Sequence, residues 1–185
     1  MNGSSKPCLY ETRIDIPLEL RVPLIDLLNQ TLATTVDLKT QVKQAHWNVK
    51  GINFYELYQL FDEIATELEE YIDLVAERVT ALGGTAMGTA RTAAIKSILP
   101  EYRFNIIEGK DHLTALAEQL AIYANFLWEN IEISALIGDS VTADLYTEVS
   151  KAIDRRLWLL EAHLVTSALN VKNQVAFSGV PSSEC

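Results

Sequence analysis

The 185-residue chain is 49% hydrophobic and carries a formal net charge of −10. That is enough apolar material for one packed domain, and too acidic a balance for a broad phosphate-binding surface. Its apolar runs are only a few residues long, the first twenty residues include Glu11 and Asp15, and Cys8 and Cys185 stand alone near the termini. These features exclude a membrane span, a secretory leader and a disulfide framework, and predict a cytoplasmic protein with no membrane partner and absent or weak DNA binding.

Residues 1–15 read as an N-terminal tail whose cations are Lys6 and Arg13. The first helix is expected to begin between Leu18 and Pro23, because proline is tolerated in a first turn, and to run to about Val49. Gly51 then ends it. Asn53 followed by Glu56 has the form of a capping box, which opens a second helix running to about Leu82 and stopped by Gly83-Gly84. The turn between the two is so short that they must pack antiparallel. In the second helix Leu57, Phe61, Ile64, Leu68, Ile72, Val75, Val79 and Leu82 step by three or four residues, the periodicity of one buried face.

Residues 85–110 contain Gly88, Pro100 and Gly109 around a short apolar-rich piece from Ala93 to Leu99. A connection of this length lets the third helix start at the opposite end of the bundle. That helix, near Asp111 to Ile137, buries Leu113, Leu116, Leu120, Ala124, Leu127 and Ile131, and Gly138 closes it. The last helix opens around Ser140 and places Leu145, Val149, Leu157, Leu160 and Leu164 on its apolar side. After Asn170 the pattern fades. The expectation is one all-α four-helix domain over 16–170, followed by a C-terminal tail over 171–185 with Lys172 and no cationic cluster.

Chemistry concentrates on the second helix. At 100° per residue Asp73 and Glu77 stand one turn apart, and Asp62 lies roughly 20° from Asp73 after three turns. Asp62 is roughly 200° from Ile64, so this carboxylate face points away from the helix's own apolar stripe and can meet only another chain. Such a face reads either as solvated surface or as half of a hard-metal site, since carboxylates with an imidazole suit iron, manganese or zinc. His46 is the available imidazole. Leu28, Leu32 and Val42 lie within about 40° of it, so the ring projects from an apolar face, where a backbone carbonyl could equally satisfy it.

The run His46-Trp47-Asn48-x-x-Gly51-x-x-Phe54-x-x-Leu57, then Phe61-Asp62, Asp73-x-x-Ala76-Glu77-Arg78 and Gly83-Gly84, resembles the Dps family of ferritin-like proteins. Leu99-Pro100-Glu101-Tyr102, Asp111-His112-Leu113, Thr142-Ala143-Asp144 and Leu157-Trp158-x-x-Glu161-Ala162-His163 extend the likeness in order over residues 15–168. The resemblance implies a ferritin-like four-helix bundle with a short extra helix in the crossover between helices 2 and 3, assembled into a hollow homododecamer. It further implies a ferroxidase that binds iron between subunits, with His46 and Asp62 from one chain and Asp73 and Glu77 from its partner. Hydrogen peroxide or dioxygen would oxidise Fe(II) to Fe(III), and the ferric product would be stored as mineral. It turns the row Glu63, Glu67 and Glu70 toward the cavity as a nucleation surface, and it makes Glu118, Glu129, Asp139 and Asp144 candidate pore residues.

One position departs from the family pattern: Tyr58 stands where that pattern has a second histidine. A phenol with an ordinary pKa of about 10 is a poor Fe(II) ligand, though it can hydrogen-bond a ligated water. The intrabundle iron site of ordinary ferritins uses Glu-x-x-His pairs, and this chain has none, so His112 and His163 read as structural. The alternative from another class is a helical shell with an impaired iron site that binds DNA or a partner protein. The acidic tails and the intact Asp62, Asp73 and Glu77 speak against it.

Overall fold

The structure, a computed structural model, describes the backbone of residues 9–177 and the side chains of residues 9–165. Lys6, Cys8 and Cys185 lie outside the described residues, as does the side chain of Lys172. The chain forms α1 (Leu18–Asn48), α2 (Phe54–Ala81), a short α3 (Ala90–Lys96), α4 (Gly109–Ile137) and α5 (Ser140–Phe177). α1 packs along α2 and α4 along α5, while α3 lies against α1 within the crossover between the two hairpins. This is the all-α ferritin-like bundle expected, with its extra short helix. No helix among the described residues is long and apolar enough to cross a membrane.

The stripe on α2 drives the packing. Leu57, Phe61, Ile64, Leu68, Val75 and Val79 are all buried, with Ile72 half-buried at its margin. Each such side chain removed from water contributes about 1.5–3 kcal/mol. α4 approaches this face so closely at its first residue that a Cβ on Gly109 would run into Leu57. At mid-bundle the interior carries hydroxyls rather than carboxylates. The Tyr123 phenol lies 2.7 Å from Thr35 Oγ1 and the Tyr146 phenol 2.8 Å from Thr31 Oγ1, and burial pushes both phenols up from their ordinary pKa. Asp139 is the one carboxylate among the buried described side chains.

Two local expectations are corrected, while the expected start of α1 between Leu18 and Pro23 is met at Leu18. Asn53 sits in the left-handed region at φ 65° and its side chain makes no capping bond, so the Asn53–Glu56 capping box does not form. Instead Gly51 at φ 97° and Asn53 together turn the chain through the tight α1–α2 connection. Pro23 lies in the second turn of α1, which starts at Leu18, so the missing amide costs only the bond to the Glu19 carbonyl at the exposed start of the helix. α5 runs on to Phe177, past Asn170 where the apolar pattern fades.

Asp139 does not fit the pore reading made for it. It immediately precedes α5 and is 3% exposed, and its carboxylate accepts two bonds from Arg78 Nη2 at 2.8 and 2.7 Å. It also accepts from the Thr142 amide at 3.1 Å and from the Thr142 hydroxyl. The group caps α5 and clamps it to α2. Burial alone would raise its pKa, but the bonds from Thr142 and Arg78 outweigh that and hold it below the usual carboxylate range. A depressed folded-state pKa stabilises the protein above the unfolded-state value and loses that contribution as pH falls through the folded one. Asp139→Ala should therefore destabilise the fold by about 3 kcal/mol, since it leaves the Arg78 guanidinium unpaired and α5 uncapped. Asp139→Asn should flatten the loss of stability below about pH 4. Denaturant unfolding across pH checks both, and an unchanged acid limb in Asp139→Asn would refute the assignment.

Candidate metal centre

The site is built where the last turn of α1 crosses the first turns of α2. His46, 5% exposed, has Nδ1 at 2.8 Å from the backbone carbonyl oxygen of Tyr58. That carbonyl can only accept, so Nδ1 carries the proton and donates, which leaves the Nε2 lone pair free for a metal. Nε2 stands 3.9 Å from Asp62 Oδ1. An imidazole nitrogen and a carboxylate therefore converge on one surface point.

The Tyr58 ring stacks on the imidazole, with centroids 4.0 Å apart at 29°, and Phe54 tilts onto Tyr58 at 5.7 Å. Lys43, one turn before His46 on α1, donates to Asp62 Oδ1 at 2.8 Å, and its ammonium lies 5.8 Å from the Trp47 ring centroid. The bond from Lys43 is the main reason Asp62 is held below its ordinary pKa, with modest burial opposing and the charge of Lys43 assisting. Asp73 and Glu77 are exposed on the same side of α2, eleven and fifteen residues beyond Asp62, or about 16 and 22 Å along the axis. One chain thus joins His46 to Asp62 and leaves Asp73 and Glu77 apart. Among the described residues no three metal-binding side chains converge.

Beyond Asp62 an open concavity of about 580 Å³ runs past Glu63 and Glu67 to Glu70. Its carboxylates are not all free. Arg156 of α5 donates from Nε to Glu67 at 2.5 Å and from Nη1 to Glu63 at 3.2 Å, while Glu70 is exposed. Of the pore candidates, Glu118 is exposed and paired with Arg103 at 2.8 Å, and Glu129 and Asp144 are exposed. His112 is buried with Nδ1 2.7 Å from the Tyr102 hydroxyl, and desolvation lowers its pKa. His163 Nδ1 lies 2.8 Å from the Leu159 carbonyl.

Sequence reasoning missed Lys43 and Arg156. For Lys43 a signal existed, since three residues before His46 is one helical turn on the same face. Arg156 carried none, because its partners lie about ninety residues away on another helix.

The ferritin-like domain family matches residues 25–169. The DNA protection during starvation protein of Agrobacterium fabrum is 39% identical over 155 residues, covering 84% of this chain and 96% of that protein. Among solved structures, DpsC from Streptomyces coelicolor matches with a TM-score of 0.81 at 30% identity, over 85% of this chain and 92% of its own. The tetragonal form of Mycobacterium smegmatis Dps matches at 0.80 and 27%, over 84% and 93%. Fold and sequence together define a ferritin-like domain. Within that class the chain belongs to the Dps family, as a Dps-type mini-ferritin.

The Lys43 contact compensates the Asp62 carboxylate at Oδ1, so a divalent cation binding that oxygen would compete with an ammonium. Lys43→Gln should raise the affinity of the assembled protein for Co(II) or anaerobic Fe(II) several-fold, and should return the Asp62 carboxyl upward toward its ordinary pKa. Calorimetric titration and carboxyl NMR read the two effects. Weaker binding in the variant would mean that Lys43 positions Asp62 rather than competing for it.

Proposed function

We propose that this Dps-family protein is a ferroxidase that binds Fe(II) at sites shared by two subunits. It oxidises the iron with hydrogen peroxide or dioxygen, and holds the ferric product as mineral inside a cytoplasmic dodecameric shell. One observation carries the reading. His46 Nε2 and Asp62 converge at one point on the outer face of α2, and the other two candidate ligands lie further along the same face. Two such helices apposed antiparallel bring each His46–Asp62 pair to the other chain's Asp73 and Glu77, which makes two equivalent sites per interface. The family membership supports the same arrangement.

The roles follow from donor chemistry. His46 supplies a nitrogen, and Asp73 with Glu77 supplies two hard oxygens, a set that favours Fe(III) over Fe(II) and so eases electron loss. Asp62 holds the adjacent position without a histidine, because Tyr58 stands there. Iron is the substrate. Passing two electrons to peroxide yields water without releasing hydroxyl radical, so storage and protection are one process. Glu63, Glu67 and Glu70 offer oxygen ligands for ferric nucleation, with Arg156 neutralising the first two. Glu118, Glu129 and Asp144 are entry candidates. The name of the Agrobacterium fabrum relative refers to DNA protection, and an iron-oxidising shell built from chains of net charge −10 each would give such protection chemically rather than by coating DNA.

Anaerobic Fe(II) titration followed by a peroxide pulse tests the proposal. Ferric absorbance should rise in proportion to chains assembled, and His46→Ala or Glu77→Ala should abolish the tight site. A monomeric variant that keeps wild-type affinity and rate would sink the shared-site reading. Replacing Glu63, Glu67 and Glu70 together by Gln should slow growth of the mineral while leaving the first oxidation burst intact, as followed by stopped-flow absorbance.

A further inference from the structure

We propose that Tyr58 is a one-electron donor to peroxide at the shared iron site, supplying the second electron whenever that site holds a single iron. The inference rests on the ferroxidase reading above and concerns what this chain does with the one position where it leaves its family's pattern.

Two contacts bind the Tyr58 residue to the candidate ligand. Its carbonyl accepts from His46 Nδ1 at 2.8 Å, and its ring lies face-on to the same imidazole at 4.0 Å and 29°. A phenol in van der Waals contact with a metal-binding ring is coupled to the metal without being its ligand. Tyr58 is 39% exposed in the single chain and borders the concavity that runs from Asp62 to Glu70, which gives its proton a path along that concavity. The other tyrosines of the bundle lack this combination. Tyr123 and Tyr146 are fully buried against threonine hydroxyls, which cannot take a proton. Tyr71 faces the core, roughly 200° around α2 from Asp73. Tyr55 bonds Gln59 on the surface and stacks on no histidine among the described residues.

The chemistry supplies the need. Peroxide requires two electrons, and one Fe(II) supplies one, so cleavage of the O–O bond at a singly loaded site would otherwise release hydroxyl radical. With Tyr58 beside the site, Fe(II) gives one electron and becomes Fe(III), and the phenol gives the other together with its proton and becomes a neutral tyrosyl radical. That proton and one from solvent complete two waters. The next Fe(II) to arrive gives one electron to the radical, a solvent proton returns to the phenol oxygen, and a second Fe(III) results. The full cycle consumes two Fe(II) per peroxide, with irons that need never be bound together.

The experiment loads the assembled wild type, Tyr58→Phe and Tyr58→His anaerobically with one Fe(II) per chain, adds one equivalent of peroxide, and freezes within milliseconds for electron paramagnetic resonance. A parallel sample contains a hydroxyl-radical spin trap. Wild type should show a tyrosyl signal that narrows when tyrosine is ring-deuterated, with little trapped hydroxyl radical. Tyr58→Phe keeps the ring stack and should bind Co(II) as wild type does, yet lose the signal and raise the trapped adduct several-fold. Tyr58→His should show no tyrosyl signal, with the trapped adduct raised at one Fe(II) per chain and falling when two Fe(II) per chain fill the second iron position. Ferric iron formed by wild type without a radical, or a signal undiminished in Tyr58→Phe, would overturn the proposal and leave the ferroxidase reading standing. Ferric formation no faster than in buffer for all three proteins would overturn both.

Discussion

The bond from His46 Nδ1 to the Tyr58 carbonyl is the contact on which the rest of the site depends. It joins the end of α1 to the start of α2 across their tight turn, and it decides which nitrogen of His46 is free. The helix pattern points the Asp62 amide at the same carbonyl, so one oxygen anchors both the imidazole and the backbone of the neighbouring carboxylate. The register that makes this possible is set by packing. Val42 and Val49 on one side and Leu57 and Phe61 on the other are buried within 2%, and the turn between them closes only because Gly51 and Asn53 adopt left-handed backbone conformations. A change at that turn would move the imidazole relative to Asp62 without touching either residue.

Charge is distributed to match. A chain of net charge −10 would repel itself if its carboxylates stood alone, and here several of the candidate carboxylates carry internal counterions. Lys43 holds Asp62, Arg156 holds Glu63 and Glu67, and Arg103 holds Glu118. Most of these pairs are solvent-exposed and add little stability. Their effect is on position and on the field that an arriving cation meets, since each carboxylate is already oriented and already compensated. The Arg78–Asp139 pair differs, because both groups are largely buried and the pair fastens α5 to α2.

Legibility in the sequence followed the range of the interaction. The α2 stripe was readable because three-to-four spacing over many residues overrides local detail, and the outward direction of Asp62, Asp73 and Glu77 follows from the same periodicity. The departure at Tyr58 was readable as a residue, but its stack on His46 required two helices in contact. Local motifs were less dependable. Asn53 and Glu56 have the capping-box spacing, yet the turn demands a left-handed Asn53 and takes its side chain out of capping position. Asp139 reads as a pore residue from its charge alone, because carboxylates usually stand exposed. A capping signal was nonetheless present, since Thr142 follows at the third position, where a capping aspartate accepts the amide. Arg156 had no local signal at all.

In the proposed site a phenol stands where the family pattern has an imidazole, which looks like loss if the only function of a side chain there is to donate a lone pair. The geometry argues for a trade instead. A histidine at this position would add a nitrogen for a second metal and let both electrons come from a bound pair, which makes oxidation depend on simultaneous occupancy. In the proposed mechanism the phenol gives up that ligand and keeps the aromatic contact with His46, through which it would couple to the first metal. On that proposal occupancy would need to reach only one iron before peroxide is reduced without hydroxyl radical, which would matter most when Fe(II) is scarce and peroxide is not. The Lys43 contact points in the same direction. With an ammonium already on Asp62, the proposed second position would meet a cation the protein carries itself, and the proposed tight site would be left to His46, Asp73 and Glu77.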